Sequence, residues 1–170
     1  VWKTLFDPEA MRPGMVLLSA QAPAGDPAWC DVVTLMTPVA TRPWEAWEGS
    51  APGRRPEAYT ALKAAMTQAT VDFACARLPE LRDAIAHTYA ATPLTYRHYT
   101  GAPHGAAYGL LKDWRSIMAS HIPARTKFEN LLLTGQNLTV HGAIGVTLSA
   151  AATCSEIVGT EYLAKKIANA

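Results

Sequence analysis

The residues best suited to chemistry lie between Thr134 and Val146, in the stretch TGQNLTVHGAIGV. Gly135, Gln136 and Asn137 follow a short apolar run, Leu131–Leu133. After a loop to His141, Gly142, Ala143, Ile144 and Gly145 open a long helix of small residues. A strand, a glycine turn and a glycine-rich helix start bring a tight backbone and unpaired helix N–H groups to one place. Such a place binds anions or polar rings. A second group of polar side chains sits in TGAPHGAAYGL, residues 100–110. Its three glycines and one proline exclude a regular element. His104 and Tyr108 there, with His98 just before, are the side chains that could line a ligand. For each the plain alternative is a surface residue.

Other chemistries are missing from the sequence. Ser149 and Ser155 fall inside the expected last helix, so no strand–turn–helix nucleophile elbow forms around them. There is no HExxH or HxxxH spacing, and a metal site is not expected. Cys30, Cys75 and Cys154 are widely spaced with no CxxC, which fits neither a zinc site nor a disulfide scaffold. No GxGxxG or GxxxxGK occurs. If the final segment belongs to a nucleotide-binding protein, its glycine fingerprint must lie upstream of Val1.

The elements that would position these residues follow from pattern. Residues 15–20 (MVLLSA) and 31–36 (DVVTLM) read as strands that pair across the turn-rich segment 21–27. Residues 38–56, with four prolines, form a loop with a short helical turn around Trp44–Trp47. Those two tryptophans are expected to cover the edge of the core. From Glu57 the apolar residues Tyr59, Leu62, Met66, Ala69, Phe73 and Leu78 recur at helical spacing, and Pro79 stops the helix. Pro79 and Glu80 start a second helix with Leu81, Ile85 and Tyr89 as its buried face. Thr92–Pro93 caps a third. Residues 111–123 read as a short turn and then an extended run. The last helix should run roughly 35 Å at ~1.5 Å per residue. It is almost uncharged from 143 until Glu156, so most of its circumference should be buried. From these residues alone, ligand binding at its start and plain packing both stand.

The chain has 170 residues, 49% of them hydrophobic, and a formal net charge of +1. That supports a real core and leaves no basic footprint for nucleic acid. No apolar run is long enough for a membrane span, and the start lacks the apolar region of a signal peptide. The chain begins at Val1 without an initiator methionine, and a fragment of a longer protein is expected.

The segments LLLTGQNLTVHGAIGV (131–146), TCSEIVG (153–159) and ATPLTYRHYTGAPHGAAYGL (91–110) resemble the C-terminal part of the phytoene desaturase and retinol saturase-like flavoproteins. These are a branch of the amine-oxidase-like FAD enzymes. The resemblance implies an α+β fragment of a two-domain, Rossmann-like FAD/NAD(P)-binding protein. Residues 1–127 would belong to the substrate domain and 128–170 to the FAD-binding domain. It implies FAD as cofactor in the full-length protein, approached by Gly135, Gln136, Asn137, Gly142, Ala143, Ile144 and Gly145. His98, His104, Tyr108 and His141 would face an apolar, carotenoid- or retinoid-like substrate whose carbon–carbon bonds are oxidised or reduced. The partner would be the missing N-terminal FAD-binding portion, without which the chain is expected to be inactive. A cytoplasmic location with peripheral membrane contact, and self-association through bare apolar faces, complete the expectation. An amine- or porphyrinogen-oxidase-like flavoenzyme portion and a non-enzymatic α+β interaction module are the alternatives.

Overall fold

A computed structural model describes residues 5–23, 28 and 30–169, with the side chains of residues 114 and 117 left aside. The chain forms two compact units that divide after Gly105. It is an α+β arrangement with a single two-stranded sheet among the described residues.

In the first unit, β1 (Leu17–Gln21) pairs antiparallel with β2 (Val32–Met36), Leu17 opposite Met36 and Gln21 opposite Val32. Both strands fall where their β-branched and aliphatic residues placed them. Most of the turn expected at 21–27 lies outside the described residues. The sheet is thin, and Leu17 and Val32 remain exposed.

The core of this unit lies elsewhere. A 3-10 helix, Arg42–Trp47, lays Trp44 against α1 (Glu57–Cys75). Phe6, Trp44, Tyr59, Met66 and Leu94 are its buried members. Trp44, Trp47 and Tyr59 meet edge to face, with ring centroids 5.5–6.3 Å apart. The tryptophans therefore do not simply cover the core edge, as expected from the proline-rich context. Trp44, 2% exposed, is at its centre.

α1 buries Tyr59, Met66, Thr70 and Ala74, one stripe at helical spacing. It ends at Cys75, before Leu78, which is 46% exposed and not part of the stripe. Arg77 lies over the Phe73 ring at 3.8 Å and donates to the Phe73 carbonyl, placing a cation at the C-terminal end of the dipole. The second helix, α2, covers only Glu80–Ala84. The expected buried face of Leu81, Ile85 and Tyr89 does not form: the backbone turns extended at Ile85, and Tyr89 is fully in solvent. Arg82 of α2 pairs with Asp72 of α1 at 2.8 Å, and this hydrogen bond holds the Asp72 carboxyl below its usual range.

α3 (Pro93–Thr100) has the capping box its sequence promised. Thr92 and Thr95 exchange side-chain and backbone hydrogen bonds, Pro93 occupies the first turn, and Gly101 ends the helix left-handed.

In the second unit, a 3-10 turn at Trp114–Ser116 and the short α4 (Ile117–Ser120) precede an extended approach to Pro123. The apolar run Leu131–Leu133 was expected to be a strand. It makes one isolated bridge, Arg125 to Leu132, supported by Leu133 N donating to the Ala124 carbonyl. No neighbouring strand extends the ladder among the described residues.

The final helix is two helices. α5 (Gly142–Val158) and α6 (Thr160–Ala168) are separated by Gly159, at φ 85° and ψ 142°. Glycine reaches that conformation at little cost, so its role is to break the helix rather than to let backbones pack. The expected burial of α5 is also not seen. Only Gly145 and Ser149 are buried, whereas Ile144 is 79% exposed and Leu148, one turn on, 58%.

Candidate functional site

The second unit assembles a site from three short pieces: residues 108–112, the loop 134–141 and the first turns of α5. Gly109, at φ 76°, brings the chain so close to Asn137 that a Cβ there would meet Asn137 Oδ1 at 1.9 Å. The same Oδ1 accepts the Leu110 N–H at 3.0 Å. Lys112 completes the join. Its Nζ donates to the carbonyls of Ser120 and Asn137 at 2.6 Å and of Leu138 at 2.9 Å. One ammonium thus satisfies three backbone acceptors on two segments. Leu138 is buried beneath, and its carbonyl also accepts Ile122 N–H.

The loop closes onto α5 through Gly145. A Cβ at Gly145 would stand 2.3 Å from the Val140 carbonyl oxygen, so the loop and the helix touch backbone to backbone. Gly145→Ala is expected to cost about 1–3 kcal/mol through this overpacking. Urea unfolding followed by circular dichroism checks it, and an unchanged midpoint would contradict the packing. Gly135 and Gly142 differ: both have positive φ, 110° and 77°, and neither has an atom within 4 Å of where a Cβ would stand. They leave backbone open.

His141 precedes α5 without a side-chain cap on the helix. Its ring lies 4.7 Å from that of Tyr108, tilted by 33°, forming a partly exposed aromatic pair at the helix entrance. Farther along, Thr153 Oγ1 donates between the Leu133 and Ser149 carbonyls, and Arg125 grips Glu156 at 2.7 Å, which fixes α5 against residues 125–133. Ser149 Oγ is buried with no hydrogen-bond partner among the described residues.

Of the residues singled out in the sequence, the structure brings together Tyr108, Gly135, Gln136, Asn137, His141, Gly142, Ala143, Ile144 and Gly145, all in the second unit. His98 and His104 belong to the first unit. His98 packs on Tyr99, centroids 4.8 Å apart, and His104 has a positive φ of 54°. Lys112 and Gly109 were not singled out. A lone lysine in an ambiguous run and the third glycine of a loop carry no spacing signal; only their partners reveal them. The described residues contain no cluster of three or more metal-ligating side chains, and no helix long and apolar enough to cross a membrane.

The arrangement offers uncapped first-turn N–H groups of a 17-residue helix, two open glycines and an aromatic pair. It suits a polar ring or an anion that accepts from backbone N–H groups. Comparison with known proteins gives this a family. The chain is 30% identical over 153 residues to the human all-trans-retinol 13,14-reductase, covering 84% of this chain and 25% of that protein. The all-trans-retinol 13,14-reductase of Macaca fascicularis is 31% identical over the same shares. This chain belongs to the all-trans-retinol 13,14-reductase-like family. It spans about a quarter of the length of the curated relatives it matches. One relative, from Danio rerio, is named an inactive all-trans-retinol 13,14-reductase and is 30% identical over 104 residues, 60% of this chain and 17% of that protein. Membership therefore places the chain among oxidoreductase homologues without by itself carrying activity. No family model and no solved structure matches it.

Proposed function

We propose that this chain is the C-terminal segment of an FAD-dependent oxidoreductase that acts on a carbon–carbon bond of a long apolar polyene of the retinoid or carotenoid class. The observation that carries the reading is the homology to all-trans-retinol 13,14-reductases, because it spans 84% of the chain. The site fits a flavin: first-turn N–H groups without a side-chain cap and open backbone at Gly135 and Gly142 are donors a ring edge could use. In this reading the backbones of Gly135, Gln136, Asn137, Gly142, Ala143, Ile144 and Gly145 hold the ring edge, with Gly145 fixing the loop onto the helix. FAD, when bound, supplies the hydride chemistry. The chain's own residues orient and shield. α5's N-terminus favours negative charge beside it, and the Tyr108–His141 pair forms a wall toward the substrate. No side chain here is required as acid or base.

In the same reading the exposed stripe of α5, Ile144 and Leu148, is the seat of the remaining polypeptide of the same protein. The isolated chain then binds FAD weakly and is inactive, self-associates through that stripe, and the whole protein is a cytoplasmic enzyme that touches membranes peripherally to collect its substrate. The test is to purify the protein at its full natural length and record its visible spectrum and its turnover of all-trans-retinol. Flavin bands with stoichiometric FAD and conversion of the polyene are expected. A colourless protein that takes up no added FAD overturns the reading.

A further inference from the structure

A cavity of about 290 Å³ opens in the first unit beside the first two turns of α1 and the start of α3. Its lining contains two cations, Arg55 and Lys63, four hydroxyls, from Tyr59, Thr60, Thr95 and Tyr99, and no carboxylate. Charge of one sign in a concave site is unusual in a chain whose charges nearly cancel.

The two cations differ. Arg55 is fixed: its terminal nitrogens donate to Tyr59 Oη and to the Leu94 carbonyl, and its guanidinium stands 4.6 Å over the Tyr59 ring. Tyr59 Oη is itself held 2.8 Å from Thr92 Oγ1, in the capping box of α3. A buried chain of hydroxyls thus pins a positive charge at the cavity wall. Lys63 is half-buried and forms no ion pair with a described residue, leaving three donors for a ligand. Gly53, at φ 76° with open space above it, allows close approach to backbone. The 19-residue α1 begins here without a side-chain cap, so its dipole adds to the same field. Glu57, in its first turn, does not line the cavity.

We propose that this cavity is an anion site for a phosphoryl group, carried either by a small soluble phosphate ester or diphosphate or by a phospholipid headgroup. The volume is at the lower edge of the ~300–1,000 Å³ of small-molecule pockets, which suits a phosphate group and excludes an entire dinucleotide. The two cations match a dianion, the hydroxyls can donate to its remaining oxygens, and exposed Tyr99 offers a ring beside it. This site is independent of the flavin reading, since it lies wholly in the first unit.

The experiment uses the full-length protein as purified and titrates it with inorganic pyrophosphate at low ionic strength by calorimetry. A parallel sedimentation assay compares vesicles of phosphatidylcholine with vesicles containing phosphatidic acid. Saturable binding is expected to one of the two probes, weakening as salt rises. Lys63→Gln should weaken it roughly tenfold or more, Lys63→Arg should restore most of it, and Lys127→Gln should leave it unchanged. The Lys63 ammonium forms no ion pair with a described residue, and far-ultraviolet circular dichroism of each variant checks that it remains folded. Pyrophosphate binding lost in Lys63→Gln supports a soluble ligand, and vesicle binding lost in that variant supports a headgroup. Absence of both, or binding that Lys63→Gln leaves intact, overturns the proposal.

Discussion

Trp44→Ala is expected to destabilise the first unit by about 3–5 kcal/mol, the usual cost of emptying a buried aromatic site. Trp44 is 2% exposed and lies between Trp47 and Tyr59 in edge-to-face contact. Phe6, Met66 and Leu94 close the rest of its pocket. These side chains come from four separate stretches of chain, so no local relaxation can fill the void. The stability of a domain is commonly ~5–15 kcal/mol, so the variant sits near the edge of folding. Trp44→Phe separates packing from hydrogen bonding. The indole Nε1 is buried with no hydrogen-bond partner among the described residues. Phenylalanine keeps most of the apolar contact and removes that unpaired donor, so its cost should be well below that of alanine. Urea unfolding followed by far-ultraviolet circular dichroism reads both. A Trp44→Ala midpoint close to that of the parent would mean that the aromatic cluster does not hold the unit together.

The same cluster shows where sequence reasoning works and where it stops. The β1–β2 hairpin, α1 and the Thr92–Pro93 cap were legible because each is written in local pattern: β-branched runs, helical spacing, and a hydroxyl before proline. The central place of Trp44 was not legible, because a proline-rich stretch looks like a loop and only tertiary contact decides what its tryptophans cover. α5 misled in a different way. Its uncharged sequence signals burial, yet Ile144 and Leu148 are exposed. Apolar composition says that a face needs a partner; it does not say whether that partner lies within these 170 residues. Leu131–Leu133 fails for a related reason. A strand needs a neighbour along its length, and a single bridge at Leu132 is all these residues provide. The single long helix expected here fails at Gly159, whose backbone angles end one helix and begin the next.

Lys112→Met is the variant expected to affect the candidate site most. The Lys112 ammonium holds three carbonyls, and methionine keeps the stem while removing every donor. The consequences differ by acceptor. The Leu138 carbonyl retains the Ile122 N–H, whereas the Ser120 and Asn137 carbonyls lose the side-chain donor they share. Bonds to a charged donor contribute ~1.5–3 kcal/mol each when buried, and partial exposure lowers that, so a loss of about 2–3 kcal/mol in total is expected. Much of it should appear locally, because Asn137 remains tied to Leu110 N–H by its side chain and the rest of the unit is fastened elsewhere by Thr153 and Arg125. Amide exchange in 135–141 should therefore speed up by roughly ten- to a hundredfold while α5 beyond Ser149 changes little. Lys112→Arg should rescue only in part, since a planar guanidinium cannot aim three donors at acceptors gathered around one point. In the full-length protein the flavin reading adds a second readout: loosening this loop should raise the FAD dissociation constant about tenfold. Faster exchange with unchanged FAD affinity would keep Lys112 as the loop's anchor and remove the loop from the cofactor site. Unchanged exchange would show that the three carbonyls are held without it.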